Sequence, residues 1–156
     1  MEIATFIKIA RATAQAHRLP EELVCAVADH ESGGWNPWAV RYEAEFERKY
    51  VPVNPAKQPT EHYARAFSYG LMQIMGQTAR ELGFIGAYLT ELCDPGIGLE
   101  FGCRKLRRCI DAHPGDTRAA LLAYNGGGNP KYPDLVLALV PKYAASVDVN
   151  KQAGAK

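Results

Sequence analysis

Apolar residues recur along this chain mostly at helical intervals. Ile3, Phe6, Ile7, Ala10 and Ala14 fall on one face of a helix and predict an amphipathic segment over 2–17. Pro20 suits a first helical turn, and a second helix is expected over 20–31. Further helices are expected over 76–83, 97–112, 116–125 and 133–146. Gly83 closes the first of these, Asp94-Pro95 opens the next, and Asp116 can cap the third, which stops at Gly126-Gly127-Gly128. Leu99, Cys103, Leu106 and Ile110 form the apolar stripe of the 97–112 helix.

The stretch from Trp35 to Phe67 breaks this rhythm. It holds Pro37, Pro52, Pro55 and Pro59, and the charged patch Arg41-Tyr-Glu-Ala-Glu-Phe-Glu-Arg-Lys49. It reads as a long excursion over 35–67 with one short helix near 43–49, not as a second domain. The expected fold class is mainly α, with a small irregular or β element near residues 35–75. One domain is expected over 1–149, followed by a flexible tail over 150–156.

One position departs from the apolar pattern. Val24, Val27, Ala28 and Glu31 stand on one helical face, so a carboxylate continues an apolar stripe. Gly33-Gly34 then stop the helix. Burial and the negative end of the helix dipole both disfavour the charged form. Glu31 is therefore expected to hold its proton near neutral pH, as a general acid must.

Composition narrows the picture. A hydrophobic content of 47% with 22% charged residues describes a globular protein of one-domain size. The net charge of +1 gives no argument for nucleic acid, and Arg104-Lys105-Leu106-Arg107-Arg108 reads as a solvated helix face. No apolar run is long enough for a membrane span, so no membrane insertion is expected. The N-terminus lacks the pattern of a secretory leader. Synthesis in the cytoplasm is expected unless a leader has been removed. Cys25, Cys93, Cys103 and Cys109 match no zinc spacing and are expected as buried free thiols. No metal or cofactor is expected.

Three short motifs then appear in order: Glu31-Ser32-Gly33-Gly34-Trp35-Asn36-Pro37, Ser68-Tyr69-Gly70-Leu71-Met72-Gln73-Ile74-Met75, and Ala123-Tyr124-Asn125-Gly126-Gly127. Together they resemble the soluble-type lytic transglycosylases, glycoside hydrolase family 23 of the lysozyme-like superfamily, over roughly residues 18–143. The resemblance implies an α+β lysozyme-like fold with a substrate cleft and Glu31 as catalytic acid and base. It implies that Ser32 makes a helix-end hydrogen bond, that Met72 and Gln73 line the sugar cleft, and that Gln73 binds a substrate amide. Tyr124 would bring its hydroxyl near the catalytic carboxyl, and Asn125 would shape the site. Tyr132 and Val136 fit a late segment of the family, with Pro133 in place of the usual residue. Where many members carry a Ser, this chain has Arg41, and Ser68 is the candidate stand-in.

The implied reaction cuts the bond between N-acetylmuramic acid and N-acetylglucosamine in peptidoglycan glycan strands without water, leaving 1,6-anhydro ends. The implied setting is the cell wall, reached after release from the cytoplasm, with the enzyme acting as a monomer. Trp35, Trp38, Tyr42, Tyr63, Phe67 and Tyr69 could offer rings to sugar faces. Two alternatives stay open. Glu43 or Glu45 could serve as a second carboxylate for inverting hydrolysis, as in goose-type lysozymes, or could simply pair with Arg41, Arg48 or Lys49. The chain could also be a non-catalytic glycan-binding module.

Overall fold

Helix α2 (Glu21–Glu31) is the hub of the fold. Every residue from Leu23 to Asp29 along it is buried, so it is wrapped on all sides, not packed on one face. The computed structural model describes residues 2–52 and 59–144. The N-terminal helix α1 (Ile3–Ala16) lies against α2 through Phe6, Ala10 and Ala14. Ile3, expected on the same face, is 51% exposed because it sits in the first turn, beyond the end of the packed stripe.

The excursion is more structured than its prolines suggest. It contains a strand β1 (Val40–Tyr42), a helix α3 (Ala44–Tyr50) and a further helix α4 (Pro59–Arg65). Pro59 opens α4, where its missing N–H costs nothing. Strands β2 (Phe67–Tyr69) and β3 (Ile74–Met75) complete a three-stranded antiparallel sheet in the order β1-β2-β3. This is the small β element expected near 35–75. Its register sets Arg41 opposite Ser68, and Ser68 opposite Met75. These three side chains therefore form one row across the sheet.

Helix α5 (Gly76–Glu81) follows, then a 3₁₀ turn at Leu89–Cys93 that the periodicity did not foretell. The long helix α6 (Pro95–Ala112) starts where Asp94 accepts hydrogen bonds from the backbone N–H groups of Gly96 and Ile97, at 2.9 and 3.1 Å. It packs against α1 and against α7 (Thr117–Tyr124), which Asp116 caps. The single helix expected over 133–146 is instead α8 (Tyr132–Leu137) and α9 (Val140–Ala144). Pro141 explains the break, since it has no N–H to donate to an uninterrupted helix. Residues 145–146, Pro55 and the expected tail 150–156 lie outside the described residues.

The buried apolar side chains form one cluster around α2, drawing on α1, α6, α7 and α8. All four cysteines are free; Cys25, Cys93 and Cys103 are buried and Cys109 is partly so. No helix among the described residues is long and apolar enough to cross a membrane.

Candidate active site

The C-terminal end of α2, the row Arg41–Ser68–Met75, α3, α6 and the end of α7 surround a cleft of about 550 Å³. Glu31 projects into it, half-buried. Its Oε1 accepts a 2.6 Å hydrogen bond from the hydroxyl of Tyr132, at the start of α8. Burial raises the Glu31 pKa above its ordinary value. The Tyr132 hydrogen bond pulls the other way, as do the charges of Lys105, His30 and Arg41. Burial is the largest influence, and the net shift is upward, the direction a general acid needs. Burial and the neighbouring carboxylate raise the Tyr132 pKa, which keeps its hydroxyl a donor. The His30 ring meets the Tyr132 ring edge-on at 5.3 Å, fixing the phenol from the side.

Tyr124 was the tyrosine expected beside the carboxyl. Its hydroxyl instead donates to the Met72 carbonyl at 2.8 Å. The residue still lines the cleft, and the Glu31 charge helps to raise its pKa after burial itself. Its hydrogen bond ties α7 to the turn before β3, while Tyr132 holds the carboxyl. Sequence reasoning placed Tyr132 only within a late family segment. Its separation from Glu31 by 101 positions left no local signal for the contact.

The turn at Gly70–Gln73 is fixed from within. Gln73 has φ +44°, and its side-chain amide donates to the Ala39 and Gly70 carbonyls at 2.9 Å each. Its Oε1 accepts from the Ser68 hydroxyl at 2.7 Å. Gln73 and Ser68 both line the cleft as expected, but the amide donors expected for a substrate already have backbone partners. Met72 is fully buried and does not line the cleft. Its side chain rests against Gly102 of α6, where an added Cβ would lie 2.2 Å from the sulfur.

Ser32 behaves as a helix-end group: it donates to the Ala28 carbonyl at 2.6 Å and accepts from the Trp35 N–H at 2.9 Å. It is buried and does not line the cleft. Asn125 does line it, and its Oδ1 accepts from the Asn129 N–H at 3.0 Å, which shapes the Gly-rich loop. Glu43 and Glu45 also face the cleft. Glu43 is paired with Arg41 at 2.5 Å, while one of its oxygens is buried without a hydrogen-bond donor, so the pair is held by charge alone. Glu45 is exposed and paired with Arg48.

Of the six aromatic residues expected to meet sugar, none lines this cleft. Trp35 and Tyr69 are core residues, and Trp38 is 76% exposed elsewhere. The rings in the cleft are Phe46 and Tyr50 of α3, with Tyr124. Phe46 and Tyr50 share a helical face and meet as tilted rings with centroids 5.0 Å apart, a spacing visible in the sequence once α3 is known. Lys105 of α6 also reaches the cleft, though its run of charges was read as a solvated face.

A larger hollow of about 950 Å³ opens beside Trp35 and Trp38 and shares no residue with the Glu31 cleft. Its acidic residues are already engaged: Glu91 accepts from the Tyr88 N–H at 2.8 Å, and Asp94 caps α6. The chemistry therefore points to the smaller cleft, where a carboxyl with a raised pKa faces open space. No group of three or more His, Cys, Asp or Glu residues among the described residues could hold a metal ion.

The profile of the family described as "Transglycosylase SLT domain" matches residues 8–134. A protein named "Transglycosylase" from Enterobacteria phage PRD1 is 45% identical over 60 residues. The match covers 38% of this chain and 20% of that relative. This chain thus matches only about a fifth of the relative's length. No solved structure matches the chain.

Proposed function

The chain belongs to the Transglycosylase SLT domain family, and from that premise we propose that it is a peptidoglycan lytic transglycosylase. The observation that carries this reading is the Glu31–Tyr132 pair: a carboxyl made a weak acid by burial, oriented by a phenol, at the edge of an open cleft. A protonated Glu31 donates its proton to the oxygen between N-acetylmuramic acid and N-acetylglucosamine, and that bond breaks. The acetamido group of the muramic residue supports the positive charge at C1. Glu31, now a carboxylate, takes the proton of the C6 hydroxyl as that oxygen bonds to C1. The product has a 1,6-anhydro end, Glu31 is protonated again, and no water is consumed.

Support comes from the roles the cleft leaves free. Phe46 and Tyr50 offer ring faces for sugars. The row Arg41–Ser68–Met75 forms a floor along which a strand can lie. The phage relative carries the name of this activity, and a phage setting in which the enzyme opens a host wall is the biological context we favour.

A second reading has one observation in its favour. Glu43 is a second carboxylate lining the same cleft, and, released from its Arg41 ion pair, it could activate a water for inverting hydrolysis. Mass analysis of muropeptides after digestion of purified wall separates the two. Fragments lighter by one water are expected. Ordinary reducing ends would overturn the transglycosylase reading in favour of hydrolysis with Glu43 or Glu45 as the second carboxylate. An undigested wall would leave a glycan-binding module.

A further inference from the structure

Within α6, the residues Gly98, Gly102, Lys105 and Cys109 fall on one helical face. Gly98 and Gly102 on that face are buried, so Lys105 is carried towards the protein interior and not towards solvent with Arg108. Its ammonium lies over the face of the Tyr124 ring, 4.2 Å from the centroid. No carboxylate among the described residues forms an ion pair with it. The other cations of the cleft are engaged: Arg41 pairs with Glu43, and Lys49 lies over Tyr50.

We propose that Lys105 is a positioning cation for the Glu31 reaction, stabilising the carboxylate formed when Glu31 gives up its proton. This rests on the reading that Glu31 acts alone as acid and then as base. A lone carboxyl faces opposed demands, since burial favours the acid form and the second step needs the ionised form. The two largest influences that offset burial are Tyr132, by a hydrogen bond, and Lys105 in the same cleft, by its charge, with His30 and Arg41 adding less. The influence is mutual: burial pushes the Lys105 pKa down, and the Glu31 charge holds it up.

The surrounding charges leave this role to Lys105. On α2 itself, His30 adjoins Glu31, and Asp29 is paired with Lys142 of α9 at 2.8 Å. From β1 and the residue after it come Arg41 and Glu43, which oppose one another. From α3 come Glu45, paired with Arg48, and Lys49 beside Tyr50. From α8 comes Tyr132, a donor only, and beside Lys105 itself stand Cys109 and Tyr124.

The test follows the Glu31 carboxyl directly, by ¹³C NMR titration of the labelled protein, with Glu31→Gln assigning the signal. Lys105→Met keeps the apolar stem and removes the charge. It is expected to raise the Glu31 midpoint by roughly one pH unit, the low end for a nearby opposite charge. Lys105→Arg should return most of the shift. In wall digestion near neutral pH, Lys105→Met should lose roughly tenfold in kcat with KM little changed. A midpoint that stays in place in folded Lys105→Met, or that Lys105→Arg fails to restore, overturns the proposal. If the midpoint moves as expected but the parent protein leaves the wall uncut, the charge coupling stands and the assigned reaction falls.

Discussion

The Tyr132 hydroxyl donates a 2.6 Å hydrogen bond to Glu31 Oε1, joining the start of α8 to the end of α2 across 101 positions of sequence. A phenol suits this place. Its own pKa is raised by burial and by the carboxylate, so it offers a proton in a hydrogen bond without giving it away. It favours the carboxylate form of Glu31, whereas burial favours the acid. The site is a balance between these influences, and each can be removed singly.

Tyr132→Phe removes the hydrogen bond and keeps the ring against His30. The Glu31 pKa should rise further, because a group favouring its charged form is gone. The pH optimum of wall digestion should move upward. Activity near neutrality should fall about 10–100-fold, the range set by a hydrogen bond to a charged group. A pH–rate profile on purified wall checks both, and a downward move of the optimum would contradict the assignment.

Glu31→Gln separates activity from stability. Activity should fall by about 10²–10⁴-fold, the usual contribution of a positioned acid–base group. Stability should change in the opposite sense. Because the folded pKa of Glu31 lies above its ordinary 4.5, the native state binds this proton more tightly than the unfolded chain. The resulting stabilisation is present below that ordinary value and is lost as pH rises through the folded pKa. Glu31→Gln escapes that loss, so it should be more stable than the parent at pH 7. Urea unfolding at pH 4 and pH 7 should show the gap closing towards the lower pH.

The half-buried Glu31 carboxyl was legible in the sequence because α2 carries its own evidence: a carboxylate on the stripe of Val24, Val27 and Ala28. The same rule applies to Lys105, which shares a face with Gly98 and Gly102, but Arg104, Arg107 and Arg108 around it gave the segment the look of a solvated surface. Tyr132 could not be placed by any local rule, since its contact depends on how α8 returns to α2. Tyr124 and Tyr132 both end up near Glu31, and only the fold assigns one hydroxyl to a backbone carbonyl and the other to the carboxyl. The rings that line the cleft escaped the sequence for a similar reason. Prolines and charges marked 35–67 as irregular, but β1 and the α3 and α4 helices inside it decide which rings turn inward.

Gly70→Ala should unsettle the cleft floor. Gly70 has φ +70°, and an added Cβ would lie 2.4 Å from the backbone oxygen of Leu92. Left-handed strain and overpacking together should cost about 2–4 kcal/mol. The Gly70 carbonyl also accepts from Gln73, so the lining residue should shift and activity should fall even below the melting temperature. Gly126→Ala is the matched control. It shares a positive φ, +78°, but meets no atom within 4 Å, and should cost only about 1–2 kcal/mol. Urea midpoints compared across the pair check the difference.

Helix α9 is short, yet it supports the helix that bears the acid. The Tyr143 hydroxyl donates to Asp29 Oδ2 at 2.7 Å and accepts from the Trp35 indole N–H at 2.7 Å. One oxygen thus links α9, the Glu31-bearing helix α2 and the loop that follows it. Tyr143→Phe strands the buried Trp35 N–H and weakens the support of Asp29, which keeps Lys142 as a partner. The expected loss is about 2–4 kcal/mol, since one hydrogen bond to a charge goes and one buried donor is orphaned. Lys142→Met should cost under about 1 kcal/mol, because its side chain is 60% exposed and the ion pair is screened by solvent. Denaturation curves followed by tryptophan emission distinguish the two variants. Equal losses would mean that the ion pair, not the Tyr143 hydroxyl, anchors α9.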